Sequence, residues 1–560
     1  MKKALALVLA FGMAVSALCV PVMAEEGGES VIRGCIASEP ETLDPNLESS
    51  VDGATYAMHL FEGLMKYVST GEPAAIDGSD NVDFLVPDFG QAESYDVSED
   101  GLVYTFHLRD GLFWSDGEPV TAENFVYSWK RIVDPANAAD YGYILNGIVA
   151  NATAIQEGEA EPDTLGIEAA DDKTLVITLE AECPYFIGLC AFAALMPLRQ
   201  DVIEEKGQEW TNPGNMISNG AYVLSDWVHD SYIEMTKNDK YYAETAGPDK
   251  IVWYLNNSET SQLAAFQAGE YDFFDSVPVD QIESLRAEGI AHAAPQVGTY
   301  YLYLNADNIP DWRVRAAISL AIDRENIVEN VTQGGQTPAT GITAAGITNS
   351  AGEEWTAAYG DFTTKALQEM YPDYDLETYS GRCDLAVALL EEAVADGYDA
   401  SATINYEYNT NEAHKAIGEA VQSDVKGVLG LDISLNNSEW QTYTNNLGEG
   451  KFGMARLGWI ADYDDAITYI ELFTNGNSYN YGNWVSDEYT DLVNQAKTLP
   501  GGEERDALLT QAEELMFGEG GFPVAPIYFY VQQYCMKDYI KNAGWTPLGY
   551  FLFTEATIEK

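Results

Sequence analysis

The stretch around which this chain is organised is Arg456-Leu457-Gly458-Trp459-Ile460-Ala461-Asp462-Tyr463. The uncharged run before it, 452–455, predicts a buried strand, and the apolar run after it, 466–473, predicts the start of a helix. Asp462 therefore falls where a strand gives way to a helix, a common place for α/β proteins to bind a ligand. A carboxylate beside a large aromatic side chain suits a cationic group such as an ammonium. The alternative is that Asp462 merely caps the following helix.

Strands and helices interleave along the whole chain, which predicts the α/β class. A length of 560 residues suggests two to four domains. Asp100-Gly101 predicts a hairpin turn, and Thr121 predicts the N-cap of a helix that ends before Pro135. Further helices are predicted at 55–65, 314–322, 384–395, 413–429 and 506–517, and further strands at 173–179, 300–305, 403–408 and 431–435.

The N-terminus has the parts of a secretion signal. Lys2 and Lys3 supply positive charge, residues 4–20 supply an apolar core, and the small residue Ala24 fits the rule for cleavage after it. A lipid anchor at Cys19 is the alternative. No later segment offers about 18 uninterrupted apolar residues. The mature protein is therefore expected outside the cytoplasm, either secreted or associated with the cell envelope.

The composition is strongly acidic, with 90 Asp and Glu residues against 28 Lys and Arg and a formal net charge of −62. Such a surface repels nucleic acid and anionic lipid, so neither is an expected partner. It would speed the approach of cationic ligands at low salt. The alternative is that the charge serves solubility, since most of these acids must be solvated.

Catalytic and metal-binding signatures are sparse, and we expect neither a metal nor a cofactor. No Gly-x-Ser-x-Gly, His-Glu-x-x-His or P-loop motif occurs. The five histidines include no close pair, and calcium at 462–465 would lack the glycine and terminal glutamate of an EF-hand. Five cysteines follow Ala24 without a disulfide pattern, and Cys183 and Cys190 either pair with each other or are two buried free thiols.

A more specific pattern lies at 100–129. Asp100-Gly101, 104–111, 114–117 and 120–129 resemble the signature of family 5 extracellular solute-binding proteins, which deliver peptides to ABC importers. Within that family the resemblance is closest to the oligopeptide-binding proteins. Other blocks resemble the family in the same order along the chain: 41–45, 61–64, 219–222, 313–317, 321–324, 458–463 and 523–528.

The resemblance implies a two-lobed, three-domain, periplasmic-binding-protein-like fold that closes on its ligand about a hinge. It implies a non-catalytic receptor for short peptides, which delivers them to the permease subunits of an ABC transporter in the membrane. We expect this receptor to be a monomer. The expected parts are a signal peptide at 1–24, lobe I at 25–61, 186–295 and 526–560, an extra domain at 62–185, and lobe II at 296–525.

The resemblance also assigns roles within the opening stretch. In oligopeptide-binding relatives, the Asp of the Gly-Trp-x-Ala-Asp-Tyr motif pairs with the α-ammonium of the peptide, and this role falls on Asp462. Gly458, Trp459 and Ile460 would offer backbone groups to an extended peptide, as an added strand does. Backbone pairing would give affinity without demanding particular side chains.

The resemblance assigns other ligand-binding residues through less specific matches. Trp440 and Val51 match cleft positions of relatives. For the peptide carboxylate, the resemblance offers His414 and Arg456 as cationic groups. The alternatives are a surface position for His414 and a structural acid as the partner of Arg456. A further arginine of relatives falls in 444–448, where this chain has none, which leaves the preferred peptide length open.

Three further points stay open. Some relatives have an acid that helps to hold the ammonium; this chain has Ser49 at that position, with Glu48 beside it. The same fold would serve an oligosaccharide binder, with aromatics such as Trp459 stacking on sugars. A secreted glycosidase built on the acids near Asp462 would need two carboxylates about 5–10 Å apart. An ammonium partner at Asp462 favours peptide over sugar.

Overall fold

The computed structural model describes residues 29–36 and 39–559. The expected signal peptide at 1–24 and the alternative lipid anchor at Cys19 lie outside the described residues. Within them, no helix has both the length and the apolar character that a membrane crossing requires. Cys183 and Cys190 do not form a disulfide with each other.

The described residues form 21 β-strands, several of them only two or three residues long. The strands are β1 Val31–Cys35, β2 Met65–Pro73, β3 Val82–Phe89, β4 Ala92–Val97, β5 Val103–Leu108, β6 Ile167–Asp171, β7 Thr174–Thr178, β8 Tyr222–Val228, β9 Tyr232–Lys237, β10 Lys250–Tyr254, β11 Phe273–Phe274, β12 Ala291–Leu304, β13 Thr337–Pro338, β14 Ile404–Asn409, β15 Ile433–Ser438, β16 Met454–Ile460, β17 Val524–Met536, β18 Ile540–Lys541, β19 Ala543–Trp545, β20 Phe551–Leu552 and β21 Thr557–Ile558.

The same part of the chain forms 17 α-helices, besides short 3-10 turns and one π-helical turn. The helices are α1 Val51–Leu60, α2 Ala122–Val133, α3 Ala152–Gln156, α4 Phe186–Leu189, α5 Gln200–Lys206, α6 Glu259–Ala268, α7 Ile282–Ala287, α8 Trp312–Ala321, α9 Arg324–Asn326, α10 Trp355–Tyr359, α11 Phe362–Met370, α12 Tyr379–Ala395, α13 Glu412–Leu429, α14 Trp440–Gly448, α15 Ile467–Ile470, α16 Asp487–Lys497 and α17 Glu503–Met516.

One mixed sheet joins the two lobes. Its strand order is β15-β14-β16-β12-β17-β11-β1-β10-β9-β8, with β13 paired to β17. The two longest strands, β12 with 14 residues and β17 with 13, pair with each other and run from one lobe into the other. Helices interleave with these strands along the chain, which confirms the predicted α/β class.

The ladder between β12 and β17 is interrupted between the lobes. Pairing stops at Pro295 opposite Val531 and resumes at Thr299 opposite Phe529. On β12 the break begins at the expected boundary after residue 295, and on β17 it lies just beyond the expected boundary at 526. An interrupted ladder bends more readily than a continuous one.

Two four-stranded sheets and one two-stranded sheet, β18-β21, make up the other sheets of the described residues. The sheet β4-β5-β7-β6 lies wholly within the expected extra domain. The sheet β2-β3-β19-β20 combines a hairpin of that domain with the C-terminal segment, because Val82–Phe84 pairs in parallel with Ala543–Trp545. Backbone hydrogen bonds therefore cross one expected domain boundary, and the boundaries themselves stay a prediction.

Side-chain caps set the helix starts around the cleft. α13 begins where Asn411 accepts the backbone N–H of His414 at 3.0 Å, one residue before the predicted start. α1 begins four residues before its predicted start, because Ser50 accepts the N–H of Gly53 at 3.0 Å. The apolar pattern alone missed this cap, which brings Val51 into the first turn of α1.

Asn124 fixes the start of α2, the helix predicted to follow Thr121. Its side-chain oxygen accepts the backbone N–H of Thr121 at 2.9 Å and the indole N–H of the fully buried Trp114 at 3.1 Å. We expect Asn124→Ala to lower the free energy of unfolding by about 2 kcal/mol, because both donors lose their acceptor. Chemical denaturation measures this loss. Asn124→Asp keeps an acceptor and should retain most of the stability. If Asn124→Asp and Asn124→Ala lose equal unfolding free energy, Asn124 does not act as this hydrogen-bond acceptor.

Candidate functional site

A cavity of about 340 Å³ lies between the lobes, a volume in the range of small-molecule sites. Residues from both lobes and from the expected extra domain line it. The structure brings together all eight residues predicted from the sequence: Val51, His414, Trp440, Arg456, Gly458, Trp459, Ile460 and Asp462. Other lining residues, which the sequence analysis did not select, include Tyr141, Asp275, Tyr479, Tyr530 and Tyr550.

Asp462 lies just beyond the end of β16 with only 5% of its surface exposed. Its Oδ1 accepts a hydrogen bond from the Tyr141 hydroxyl at 3.0 Å, and its Oδ2 accepts one from the Thr468 hydroxyl at 3.3 Å. The first backbone N–H of α15, that of Ile467, is instead bound by Asp465 at 3.0 Å. The structure therefore does not support the alternative that Asp462 is merely a helix cap.

The Asp462 carboxylate has no ion-pair partner in the part of the chain that the structure describes. Burial raises its pKa well above the ordinary value; the hydrogen bond from Tyr141 opposes this, and the negative charge of Glu471 adds to it. Lys497 neutralises Glu471 rather than Asp462, at 2.5 Å. A buried carboxylate without a counter-ion is costly, and a cationic ligand group would supply the missing partner.

Aromatic rings surround this carboxylate. The ring centroids of Tyr141, Trp459 and Tyr479 lie 4.7–6.1 Å from one another. Aromatic faces attract cations, so the rings suit the same kind of ligand group as the carboxylate does. Tyr141 comes from a 3-10 turn, Asp140–Leu145, far from Asp462 in sequence, and no motif marks it. Sequence reasoning had no signal by which to place it here.

β16 presents a free backbone edge to the cavity. It pairs with β14 only at Met454 and Ala455, whereas its other edge pairs with β12 as far as Ile460. From Arg456 to Ile460 the first edge has no strand partner among residues 29–36 and 39–559, although the Tyr443 hydroxyl donates a hydrogen bond to the Arg456 carbonyl oxygen. An extended peptide can add to such an edge as a further strand. Tyr530 lies against the edge at Gly458, where a Cβ would stand 2.3 Å from the Tyr530 hydroxyl oxygen.

Arg456 supplies a positive charge at the other end of this edge. Its Nη1 donates to the Asn409 side chain at 3.0 Å, and its guanidinium lies 5.2 Å from the ring centroid of Tyr300. Burial acts to lower its pKa, but Tyr530, Tyr300 and Tyr443 outweigh that effect and raise the pKa. No described carboxylate lies within ion-pair distance, so the alternative of a structural acid partner is not supported.

His414 lies beside Arg456 but carries no charge. Its Nδ1 lies 3.5 Å from the hydroxyl of Tyr300. Burial, and then the positive charge of Arg456, lower the pKa of His414 well below its ordinary value. In the ligand-free protein the imidazole is therefore a neutral hydrogen-bonding group, and the role of His414 as a cation for the peptide carboxylate stays a prediction.

Trp440 and Val51 face the cavity from opposite lobes. Trp440 is the first residue of α14 and is half-buried, with its ring 6.1 Å from that of Tyr443. Val51 is the first residue of α1 and lies against Gly549, whose Cβ would stand 2.9 Å from a Val51 methyl group. Both positions give the cavity apolar walls.

Glu48 also lines the cavity, yet the turn before α1 already binds its carboxylate. The carboxylate accepts hydrogen bonds from the backbone N–H groups of Ser50 at 2.7 Å, Ser49 at 3.1 Å and Thr42 at 3.3 Å, and from the Ser50 hydroxyl at 2.5 Å. Burial nevertheless raises the pKa of Glu48 to about 7. These bonds leave Glu48 little capacity for the second ammonium-binding role that the sequence left open.

The other acids of the opening stretch do not face the cavity. Asp464 is exposed, and Asp465 binds both Nη atoms of Arg505 at 2.8 Å. They therefore do not form, with Asp462, the facing pair of carboxylates that a glycosidase needs. Within the described ranges, no group of three or more His, Cys, Asp or Glu side chains could hold a metal ion.

Comparison with known proteins agrees with this geometry. The model of bacterial extracellular solute-binding proteins, family 5 Middle, matches residues 88–481. The oligopeptide-binding protein OppA of Bacillus subtilis is 33% identical over 539 residues, which cover 94% of this chain and 93% of the relative. Haemophilus influenzae OppA in complex with RPPGFSPFR has a TM-score of 0.84 at 30% identity, covering 95% of this chain and 99% of that one.

A further structure bears on how the lobes are arranged. The unliganded open form of the murein tripeptide binding protein MppA is 31% identical and covers 95% of this chain and 97% of its own, yet its TM-score is only 0.61. Because the identity is nearly the same as for the peptide complex, the lower score reflects lobe arrangement rather than divergence. The lobes of this chain are therefore arranged as in the peptide complex.

Proposed function

The chain belongs to family 5 of the bacterial extracellular solute-binding proteins, and from this premise we propose that it captures short peptides between its two lobes. The peptide lies extended along the free edge of β16, with its ammonium group at Asp462. One observation carries the proposal: the buried Asp462 carboxylate has no neutralising cation in the described chain. A receptor that binds an ammonium requires such a group.

The spacing of Asp462 and Arg456 supports a particular ligand length. Six positions separate them along an extended segment, a span of about 20 Å at the usual rise per residue. Both side chains line the same cavity. An extended peptide has a similar rise per residue, so a peptide of about three to five residues would join the two charges, allowing for the reach of both side chains.

The remaining parts of the proposal concern location and partners. The protein acts outside the cytoplasm as a monomer, after removal of the signal peptide at 1–24, with a lipid anchor at Cys19 as the alternative. Its closed form docks on the permease of an ABC transporter, which takes the peptide. Its task is binding rather than catalysis, which agrees with a site that combines the buried Asp462, Arg456 and a strand edge.

Thermal unfolding with added ligands tests the ligand class. A ligand present at 100 times its dissociation constant stabilises the folded protein by about 2.7 kcal/mol. We expect mixed tri- to pentapeptides to raise the melting temperature and oligosaccharides at the same concentration to leave it unchanged. If oligosaccharides alone raise the melting temperature, the fold assignment stands and the proposed ligand class is wrong.

Gly458 provides a test of the strand-edge geometry. In Gly458→Ala, the new methyl group would collide with the Tyr530 ring. We expect this variant to bind every peptide about tenfold more weakly, because overpacking costs about 1–3 kcal/mol and displaces a wall of the site. Calorimetry measures the loss. The control is Gly427→Ala, whose Cβ would have no heavy atom within 4 Å, and equal affinities for the two variants would contradict the geometry.

A further inference from the structure

Two helices from opposite lobes meet at their first turns. α6 follows β10, a strand of lobe I, and α13 follows β14, a strand of lobe II. Glu259, the first residue of α6, accepts a hydrogen bond from the side chain of Asn411, the N-cap of α13, at 3.0 Å. In return Glu412, the first residue of α13, accepts one from the Thr260 hydroxyl of α6 at 3.0 Å. The contact is therefore reciprocal.

The reciprocal contact also settles an electrostatic conflict. The N-terminus of each helix carries a partial positive charge, so two facing N-termini repel each other. The exposed carboxylate of Glu412, which joins the first turns of the two helices through the Thr260 hydroxyl, offsets that repulsion. The contact exists only while the lobes are together, because its two halves belong to different lobes.

We propose that this reciprocal contact, formed by Glu259, Thr260, Asn411 and Glu412, is a latch that holds the lobes closed. It rests on the proposed function in assuming that the protein closes over a ligand. None of the four residues needs to touch the ligand for the latch to act. Stabilising the binding-competent form raises the apparent affinity and slows ligand release, so Glu259 is a positioning residue for binding.

Neither lobe depends on the Glu259 carboxylate for its own fold. The N-cap of α6 is Ser258, which accepts the backbone N–H of Ser261 at 3.3 Å. Removing the carboxylate leaves that cap in place. A Glu259 variant should therefore change closure without lowering the melting temperature of the ligand-free protein.

The latch is expected to respond to pH. Glu259 is 5% exposed, and burial raises its pKa from 4.5 to about 7; hydrogen bonds from Asn411 and the Ala413 backbone oppose this, while Glu412 and Asp280 add to it. A further titratable neighbour, Tyr528 of β17, stays neutral because burial raises its pKa well above the ordinary value.

The direction of the pH response follows from comparing the two forms. In the open form water reaches Glu259, and its pKa returns towards 4.5. Closing then takes up a proton between pH 4.5 and about 7. The contribution of Glu259 to closure is fully present below that window and is lost as the pH rises through it. The latch therefore tightens as the pH falls.

The test measures release of tetra-alanine by stopped flow, together with small-angle scattering of the ligand-free protein. At pH 5, where the buried Glu259 carboxyl group is protonated, we expect Glu259→Ala to release the peptide about tenfold faster and to increase the radius of gyration at an unchanged melting temperature. Thr260→Val should show the same changes at smaller size. Glu270→Ala, an exposed acid at the other end of α6, is the matched control and should behave as wild type.

Glu259→Gln separates the latch from a merely structural role. The amide imitates the protonated acid, so this variant should match wild type at pH 5 and release tetra-alanine more slowly than wild type at pH 8. Unchanged release and unchanged scattering in Glu259→Ala would overturn the latch. If wild type fails to bind tetra-alanine, the proposed function fails, and the scattering of the ligand-free variants still decides whether the latch exists.

Discussion

Replacing Asp462 by Asn should weaken the binding of peptides with a free amine by roughly 10- to 150-fold. The loss follows from a charge-assisted hydrogen bond, which contributes about 1.5–3 kcal/mol. The amide keeps an oxygen for the Tyr141 hydroxyl and offers an N–H to Thr468, so both present partners of the side chain are retained. Calorimetry of Asp462→Asn against wild type measures the difference.

Two controls make this prediction specific. Peptides with an acetylated amine have no ammonium, so Asp462→Asn should bind them as weakly as wild type does. The ligand-free variant should be at least as stable as wild type, because it no longer buries an unpaired carboxyl group. Equal losses for free and acetylated peptides would show that Asp462 does not bind the ammonium.

Replacing Arg456 by Gln should weaken the binding of peptides that end in a carboxylate by about tenfold or more. The reason is that a hydrogen bond to a charged group contributes about 1.5–3 kcal/mol. Arg456 is the one cation among the described lining residues, because His414 is neutral. The measurement is calorimetry with tetra-alanine and with its C-terminal amide.

The amide peptide is the internal control for Arg456→Gln. Because it lacks the carboxylate, the variant and the wild type should bind it equally. Arg456→Lys keeps the positive charge but not the planar guanidinium that meets Asn409, so it should fall between wild type and Arg456→Gln. If Arg456→Gln loses equal affinity for the peptide with a free carboxylate and for its C-terminal amide, Arg456 supports the wall of the cavity instead of binding the carboxylate.

Features local in sequence were predictable for both fold and site. The hairpin at Asp100-Gly101, the α2 start after Thr121 and the α13 boundaries follow from turn and cap chemistry that acts within a few residues. The strand-to-helix position of Asp462 follows in the same way. The apolar pattern placed α1 four residues late, because the Ser50 cap lies outside the apolar run.

Features that depend on distant segments were not predictable. The pKa of His414 is lowered by burial in the cavity wall and then by Arg456, which lies on another element. The hydroxyl donor to Asp462 comes from Tyr141, in a turn without a motif. Glu259 meets Asn411 only because two lobes close on each other. In each case the decisive neighbour is more than 40 positions away, and a single sequence carries no record of that contact.

The most direct test of the whole account is calorimetry of the wild-type mature protein with tetra-alanine, once with a free and once with an acetylated amine. We expect binding near micromolar, about −8 kcal/mol, for the free peptide and no measurable heat for the acetylated one. That result would establish a peptide receptor that binds the ammonium at Asp462. Equal heats for both peptides would contradict it, because the buried carboxylate would then have no part in recognition.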